Sequence, residues 1–155
     1  MVVGCGSIGL LFVRALSARG DEVRVLEPDA RRLVRALPHA ERQAAPGDDL
    51  DWAVITAVGG LDAALATLRP GGTALLFTAP SGTVPVALQW VYRQELRLVG
   101  VRSTTPRHLR AALAALADGA VSADDLVTDV LPLDRFAEGV ERYRRGDALK
   151  VVFTP

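Results

Sequence analysis

Cysteine is all but missing from this 155-residue chain. Cys5 stands alone, so no disulfide framework can be drawn within it. The two histidines, His39 and His108, lie far apart, which leaves no clustered zinc motif to write down. Lys150 is the only lysine; the basic set is otherwise arginine, which reads as coding bias rather than mechanism. No charge excess exists either, because 18 basic side chains balance 18 acidic ones. That balance excludes the strong field that draws a protein to nucleic acid or anionic lipid, and points instead to a small molecule or another protein as partner. No apolar run approaches the roughly 20 residues of a membrane span, and no charged leader with a cleavage site opens the chain. The reading is a soluble, cytoplasmic protein with one domain over residues 1–155, since a second full domain would not fit.

What is present is alternation. Short β-rich runs change places with segments of helical period, the mark of βαβ units around a parallel sheet. The runs Met1–Gly4, Glu22–Leu26, Glu41–Gln43, Trp52–Thr56, Thr73–Thr78 and Leu96–Arg102 read as six strands. Between them, Ser7–Arg19 is expected to be a helix with Ile8, Phe12, Ala15 and Leu16 on its inner face. Asp29–Leu37 is expected to turn Ala30, Leu33, Val34 and Leu37 inward. Leu61–Leu68 reads as a third helix, followed by a turn at Arg69-Pro70-Gly71-Gly72, and Val86–Gln94 as a fourth. Thr105-Pro106 has the chemistry of a helix start, and Leu109, Leu113 and Leu116 repeat at helical spacing as far as Gly119. A strand at Val127–Leu131, a helix with Phe136, Val140 and Tyr143 on one face, and a strand at Val151–Phe153 complete the chain. The fold class is α/β, a Rossmann-type doubly wound sheet of about six strands in three layers.

The sharpest motif is Gly4-Cys5-Gly6-Ser7-Ile8-Gly9, directly after a strand and opening a helix. Gly4 permits the tight turn, Gly6 lets backbone approach a pyrophosphate, and Gly9 allows the helix to pack close to the sheet. The phosphates would meet the free N–H groups and positive dipole of the helix N-terminus. Glu27 ends the second strand, where a carboxylate accepts hydrogen bonds from the adenosine ribose hydroxyls. This favours NAD over NADP, although Arg31 and Arg32 on the following helix could offset the repulsion of a 2′-phosphate. Cys5 reads as a small residue tolerated in the turn, and His108 as an exposed side chain.

In order and spacing the segments VVGCGSIGLL, VRVLEPDARRL, ALATLRPGGTALLFTAP, YRQELRLVGVRSTTPRHLRAALAAL and LPLDRFAEGVERYRRGDALKVVF resemble the medium-chain dehydrogenase/reductase superfamily. The match is to the C-terminal NAD(P)-binding domain of zinc-dependent alcohol, sorbitol and threonine dehydrogenases, and it runs nearly end to end. The resemblance implies that Ser7 and Ile8 lie under the cofactor, with Ile8 behind the nicotinamide ring. It implies that Thr56 and Ala57 border the adenosine, that the backbone of Thr78 and Ala79 holds the carboxamide, and that Lys150 reaches the pyrophosphate. The GroES-like catalytic domain of that family, with its zinc ligands, has no counterpart in these residues; no zinc is expected in this chain. The first strand looks clipped, and the segment Pro46–Leu50 is shorter than in the family.

Two functions follow. One is the cofactor-binding half of a zinc-type alcohol or polyol dehydrogenase, inactive until a separate catalytic domain or chain is supplied. The other is a stand-alone NAD(H)-binding or interaction module. A half-enzyme should leave apolar surface near Thr78–Pro80 and the last helix. The strand Leu96–Arg102 resembles the edge through which family members extend their sheet, which predicts a homodimer.

Overall fold

The computed structural model describes residues 1–155. Its six main strands are β1 (Val2–Val3), β2 (Arg24–Leu26), β3 (Arg42–Gln43), β4 (Leu50–Ile55), β5 (Leu68–Leu76) and β6 (Arg97–Gly100). All pair in parallel, in the order β3-β2-β1-β4-β5-β6. This is the doubly wound order, in which the connections leave β1 in opposite directions and open a crevice at the carboxyl ends of β1 and β4. The helices are α1 (Ser7–Ala18), α2 (Ala30–Ala36), α3 (Leu61–Leu65), α4 (Leu88–Arg93) and α5 (Pro106–Ala117). Beyond them, β7 (Asp129–Pro132) and β8 (Val151–Thr154) form a second, two-stranded parallel sheet joined by α6 (Phe136–Arg144). No helix is long and apolar enough to cross a membrane.

A strand segment buried on both faces needs apolar residues at every position, and β1 and the second half of β4, Ala53–Ile55, supply them. Val2, Val25 and Val54 stand in register and point to one face, where Leu10 and Val13 of α1 and Ala36 of α2 cover them. Val3, Ala53 and Ile55 point to the other, under Leu61, Ala64 and Leu65 of α3. Two cores on opposite faces of one sheet make the three layers.

Several local expectations need correction. The inner face of α1 is Gly9, Leu10, Val13 and Arg14; Ile8 is half exposed, and Phe12 and Leu16 only flank the core. In α2 it is Leu33 and Ala36 that face inward, whereas Ala30, Val34 and Leu37 are exposed. Leu68 belongs to β5 rather than to the preceding helix. The Arg69–Gly72 turn survives as an irregularity inside β5, with Gly71 at φ +75° and the register against β4 slipping between Leu50 and Trp52. β5 ends at Leu76, short of Thr78. In each helix the apolar pattern fitted more than one facing. The sheet chose the stripe that put small or branched residues against it.

The C-terminal unit is bolted to α1 by a buried guanidinium. Arg14, 6% exposed, donates through Nη1 to the Ser122 carbonyl (2.7 Å) and through Nη2 to Asp125 (2.9 Å). The Arg14 charge holds the Asp125 carboxyl below its usual range. Within the unit, Gly139 of α6 lies so flat on β8 that a Cβ there would sit 2.5 Å from the Phe153 ring. Arg142 pairs with the buried carboxylate of Asp129 at 2.7 Å.

At the sheet edge beside β2, β3 is only two residues long and is pinned by the loop after it. Asp48 accepts from Arg42 and from the Ala45 N–H, and Arg24 stands 3.1 Å from it. These contacts, Arg42 first, hold its carboxyl at about 2. A carboxyl held lower in the folded than in the unfolded chain adds stability that is complete above the ordinary carboxylate range. That stability is lost as pH falls through this range toward about 2. The stability advantage of the wild type over Asp48→Asn is therefore expected to be constant above about pH 5 and to vanish near pH 2. Chemical denaturation across that window measures it, and a pH-independent difference would refute the role given to Asp48.

Candidate functional site

The glycine turn from β1 into α1 is built by three different constraints. Gly4 has φ +86°, and a Cβ on it would approach that of Ala57 to 2.7 Å. A Cβ on Gly9 would fall 1.8 Å from the Gly4 carbonyl oxygen, so α1 can lie this close to the turn only without a side chain there. Around the Cβ position of Gly6 there is nothing within 4 Å. Two glycines are thus occupied by the protein's own packing, and the third opens onto space.

That space is a cleft of about 810 Å³ at the crevice between β1 and β4. Gly4, Gly6, Ser7, Ile8 and Gly9 form its floor. Gly6 is the N-cap of α1 and no side chain caps it, and the first turn carries no acid. The first N–H groups of α1 therefore rise beside the cleft with only solvent to bond, as an anion site requires.

Glu27, 4% exposed, closes the side below β2. Its Oε2 accepts from the Cys5 N–H (2.6 Å) and its Oε1 from the Asp29 N–H (2.9 Å). One carboxylate thus ties the glycine turn to the start of α2 and still has lone pairs left for a ligand in the cleft. Asp29 in turn caps α2, accepting from the Arg31 and Arg32 N–H groups. Burial, with the Glu27 charge adding to it, pushes the Cys5 thiol up to about 12, so it is no nucleophile.

Thr56 and Ala57, just past the end of β4, form the far wall. The Thr56 hydroxyl donates to the carbonyls of Val3 (2.7 Å) and Gly4 (3.0 Å), so its part is to hold the turn. Of the residues singled out in the sequence, Thr78, Ala79 and Lys150 are not brought to this cleft. Thr78 lines a separate apolar cavity of about 200 Å³ with Leu76 and Pro80, and Lys150 is exposed at the start of β8. His108 completes a capping box on α5, its Nδ1 accepting from the Thr105 N–H. No group of three or more His, Cys, Asp or Glu side chains is placed to hold a metal ion.

The cleft also recruits residues whose sequence context gave no functional signal. Gln43 pairs with Val25 across β3 and β2, and its Oε1 accepts from the Glu27 N–H (3.2 Å). Only the sheet order, once known, brings it beside the acid. Of the two arginines that open α2, Arg32 lines the cleft and Arg31 does not. Tyr143 reaches the rim from α6.

A parallel sheet in this order, with an open glycine turn at its switch point and an acid ending β2, is a Rossmann-type domain. No protein-family model matches the chain. It is 33% identical over 147 residues to the D-altritol 5-dehydrogenase of Agrobacterium fabrum, spanning 86% of this chain and 43% of that protein. Its fold superposes on L-idonate 5-dehydrogenase of Escherichia coli with a TM-score of 0.88 at 19% identity, over 99% of this chain and 49% of that one. The corresponding values for an alcohol dehydrogenase of Thermus sp. ATN1 are 0.80, 25%, 99% and 50%. For an Escherichia coli alcohol dehydrogenase in complex with NADH they are 0.86, 20%, 99% and 51%. The chain belongs to the medium-chain dehydrogenase/reductase superfamily, and what it matches is the C-terminal half of its zinc-type alcohol and polyol dehydrogenases. It spans about half the length of these relatives.

Proposed function

We propose that this chain is the NAD(H)-binding half of a zinc-type alcohol or polyol dehydrogenase, completed by a catalytic half on the same polypeptide or another chain. The observation that carries the reading is the open space above Gly6, flanked by the uncapped N-terminus of α1 and the buried Glu27. Free N–H donors beside an open space and a carboxylate with spare lone pairs are the groups that a pyrophosphate and its ribose need, which supports the reading. When bound, nicotinamide supplies the hydride chemistry; the protein supplies binding and orientation. The N–H groups at the start of α1 hold the phosphates, and Glu27 accepts from the ribose hydroxyls. Its fixed negative charge opposes a 2′-phosphate, which favours NAD, while Arg32 softens that opposition. Ile8, which lines the cleft, backs the nicotinamide. The family resemblance, rather than the lining of this cleft, assigns Thr78 and Ala79 to the carboxamide end and Lys150 to the pyrophosphate.

Exposed apolar side chains support a catalytic half that packs against this one. No residue of α5 is buried, and Leu109, Leu113 and Leu116 stand open along it. Phe136 on α6 is similarly bare. At the sheet edge, β6 pairs with β5 alone and leaves Val99 and Val101 exposed. This supports a homodimer through β6, for which light scattering should return twice the chain mass.

Calorimetric titration with NADH and NADPH tests the function directly. Binding of NADH in preference to NADPH is expected. Glu27→Ala should weaken NADH by about tenfold to a hundredfold, the worth of hydrogen bonds to a charged group, and narrow the gap to NADPH. Binding of neither nucleotide to the folded wild-type chain would refute the reading.

A further inference from the structure

We propose that Tyr143 is a cofactor-positioning residue, through which the C-terminal unit covers the ADP part of the dinucleotide; this rests on the NAD(H) reading above. Phe136, Gly139, Val140 and Tyr143 share one face of α6. Phe136 packs on Phe153 with ring centroids 5.0 Å apart, and Gly139 lies flat on the same ring. Tyr143, one turn further, lines the cleft with 61% of its surface exposed. A ring this exposed adds little to the fold, but a ligand in the cleft that it lines would cover it.

The position of the ring follows from its neighbours. Arg32, on the cleft wall, extends its guanidinium to the end of α6, where a Cβ on Gly146 would lie 3.9 Å from Nη2. A cation suits a helix C-terminus, where carbonyls lack partners. Tyr143 precedes Gly146 by one turn and lines the same cleft as Arg32, so the end of α6 brings the two side chains to one side of it. α6 cannot drift, because Arg142–Asp129 ties it to β7 and Arg14 ties the segment before β7 to α1. The phenol is thus presented by a rigid support to the end of the cleft formed by Gly6, Glu27 and Arg32. A flat aromatic face there covers the adenosine diphosphate moiety, and not the nicotinamide.

Fluorescence titration of the full chain with NADH, ADP-ribose and nicotinamide mononucleotide tests this. Tyr143→Ala should weaken NADH and ADP-ribose by the same factor, about tenfold or more for one lost ring contact, and leave nicotinamide mononucleotide unchanged. Tyr143→Phe should restore wild-type affinity within about threefold, since the ring and not the hydroxyl provides the cover. Melting temperature should not move in either variant, because the side chain is exposed. Wild-type affinity in Tyr143→Ala, alongside weakened binding in Glu27→Ala, would overturn this inference and leave the cofactor reading standing. Loss confined to nicotinamide mononucleotide would overturn the assigned end. Failure of the wild type to bind NADH would instead sink the cofactor reading on which the inference stands.

Discussion

Gly9→Ala is expected to destabilise the chain by about 4 kcal/mol and lower its melting temperature by about 10 °C, although the exchange is normally favourable in a helix. Alanine in place of glycine usually gains about 1 kcal/mol at a helix interior, because it restricts the unfolded chain. Here the added methyl would lie 1.8 Å from the Gly4 oxygen and 2.8 Å from the Gly4 carbon. These are backbone atoms, and the Gly4 carbonyl is further held by the Thr56 hydroxyl. Neither a rotamer change nor a small shift relieves such a contact; α1 must move off the sheet, and Leu10 and Val13 with it.

Gly6→Ala makes the opposite prediction. Its backbone sits at φ −70°, which any residue adopts, and no atom lies near the new methyl. Stability should stay within about 0.5 kcal/mol of wild type, as at an unencumbered surface position. NADH affinity should fall by about tenfold or more, because the methyl takes the space of the phosphate. Thermal melts and titrations on the two variants give a crossed result, one losing fold and the other losing ligand. Equal melting temperatures for Gly9→Ala and wild type would show that the turn is not packed in this way.

Asp125→Ala carries the second large effect. It removes the carboxylate from Arg14, whose guanidinium is 6% exposed and whose Nε has no hydrogen-bond partner. Breaking a buried pair from one side costs about 3–5 kcal/mol. Asp125 is itself 53% exposed, so water screens the pair and about 2 kcal/mol is the expected loss. Arg14→Met in the same chain removes the stranded charge and should recover at least half of it. A denaturant double-mutant cycle measures this. Additive effects of the two substitutions would mean that the pair does not hold Ser122–Leu126 against α1.

Much of this protein was open to reading from residue order. Val2, Val54 and Ile55 belong to short apolar runs, and Val25 to a short β-rich run, that read as strands. The glycine spacing set out the turn because each glycine answers a local need of the backbone. Glu27 was found because the end of β2 is a short, fixed distance along the chain from that turn. Less was legible where facing mattered. Ile8 and Leu10 suit the inner side of a helix equally by period, and nothing local marks Arg14 as the residue that goes under.

Alternation, glycine spacing and the acid after β2 determined the fold class and the core of the cleft, because each acts within a few residues along the chain. Only the tertiary structure decided that Glu27 ties the turn to α2, that Arg32 rather than Arg31 meets the cleft, and that Tyr143 lines it. It also set β7 and β8 apart as their own sheet and left α5 bare. Those outcomes depend on how rigid elements meet across long separations in sequence, through packing and a few buried charges that carry no periodic signature.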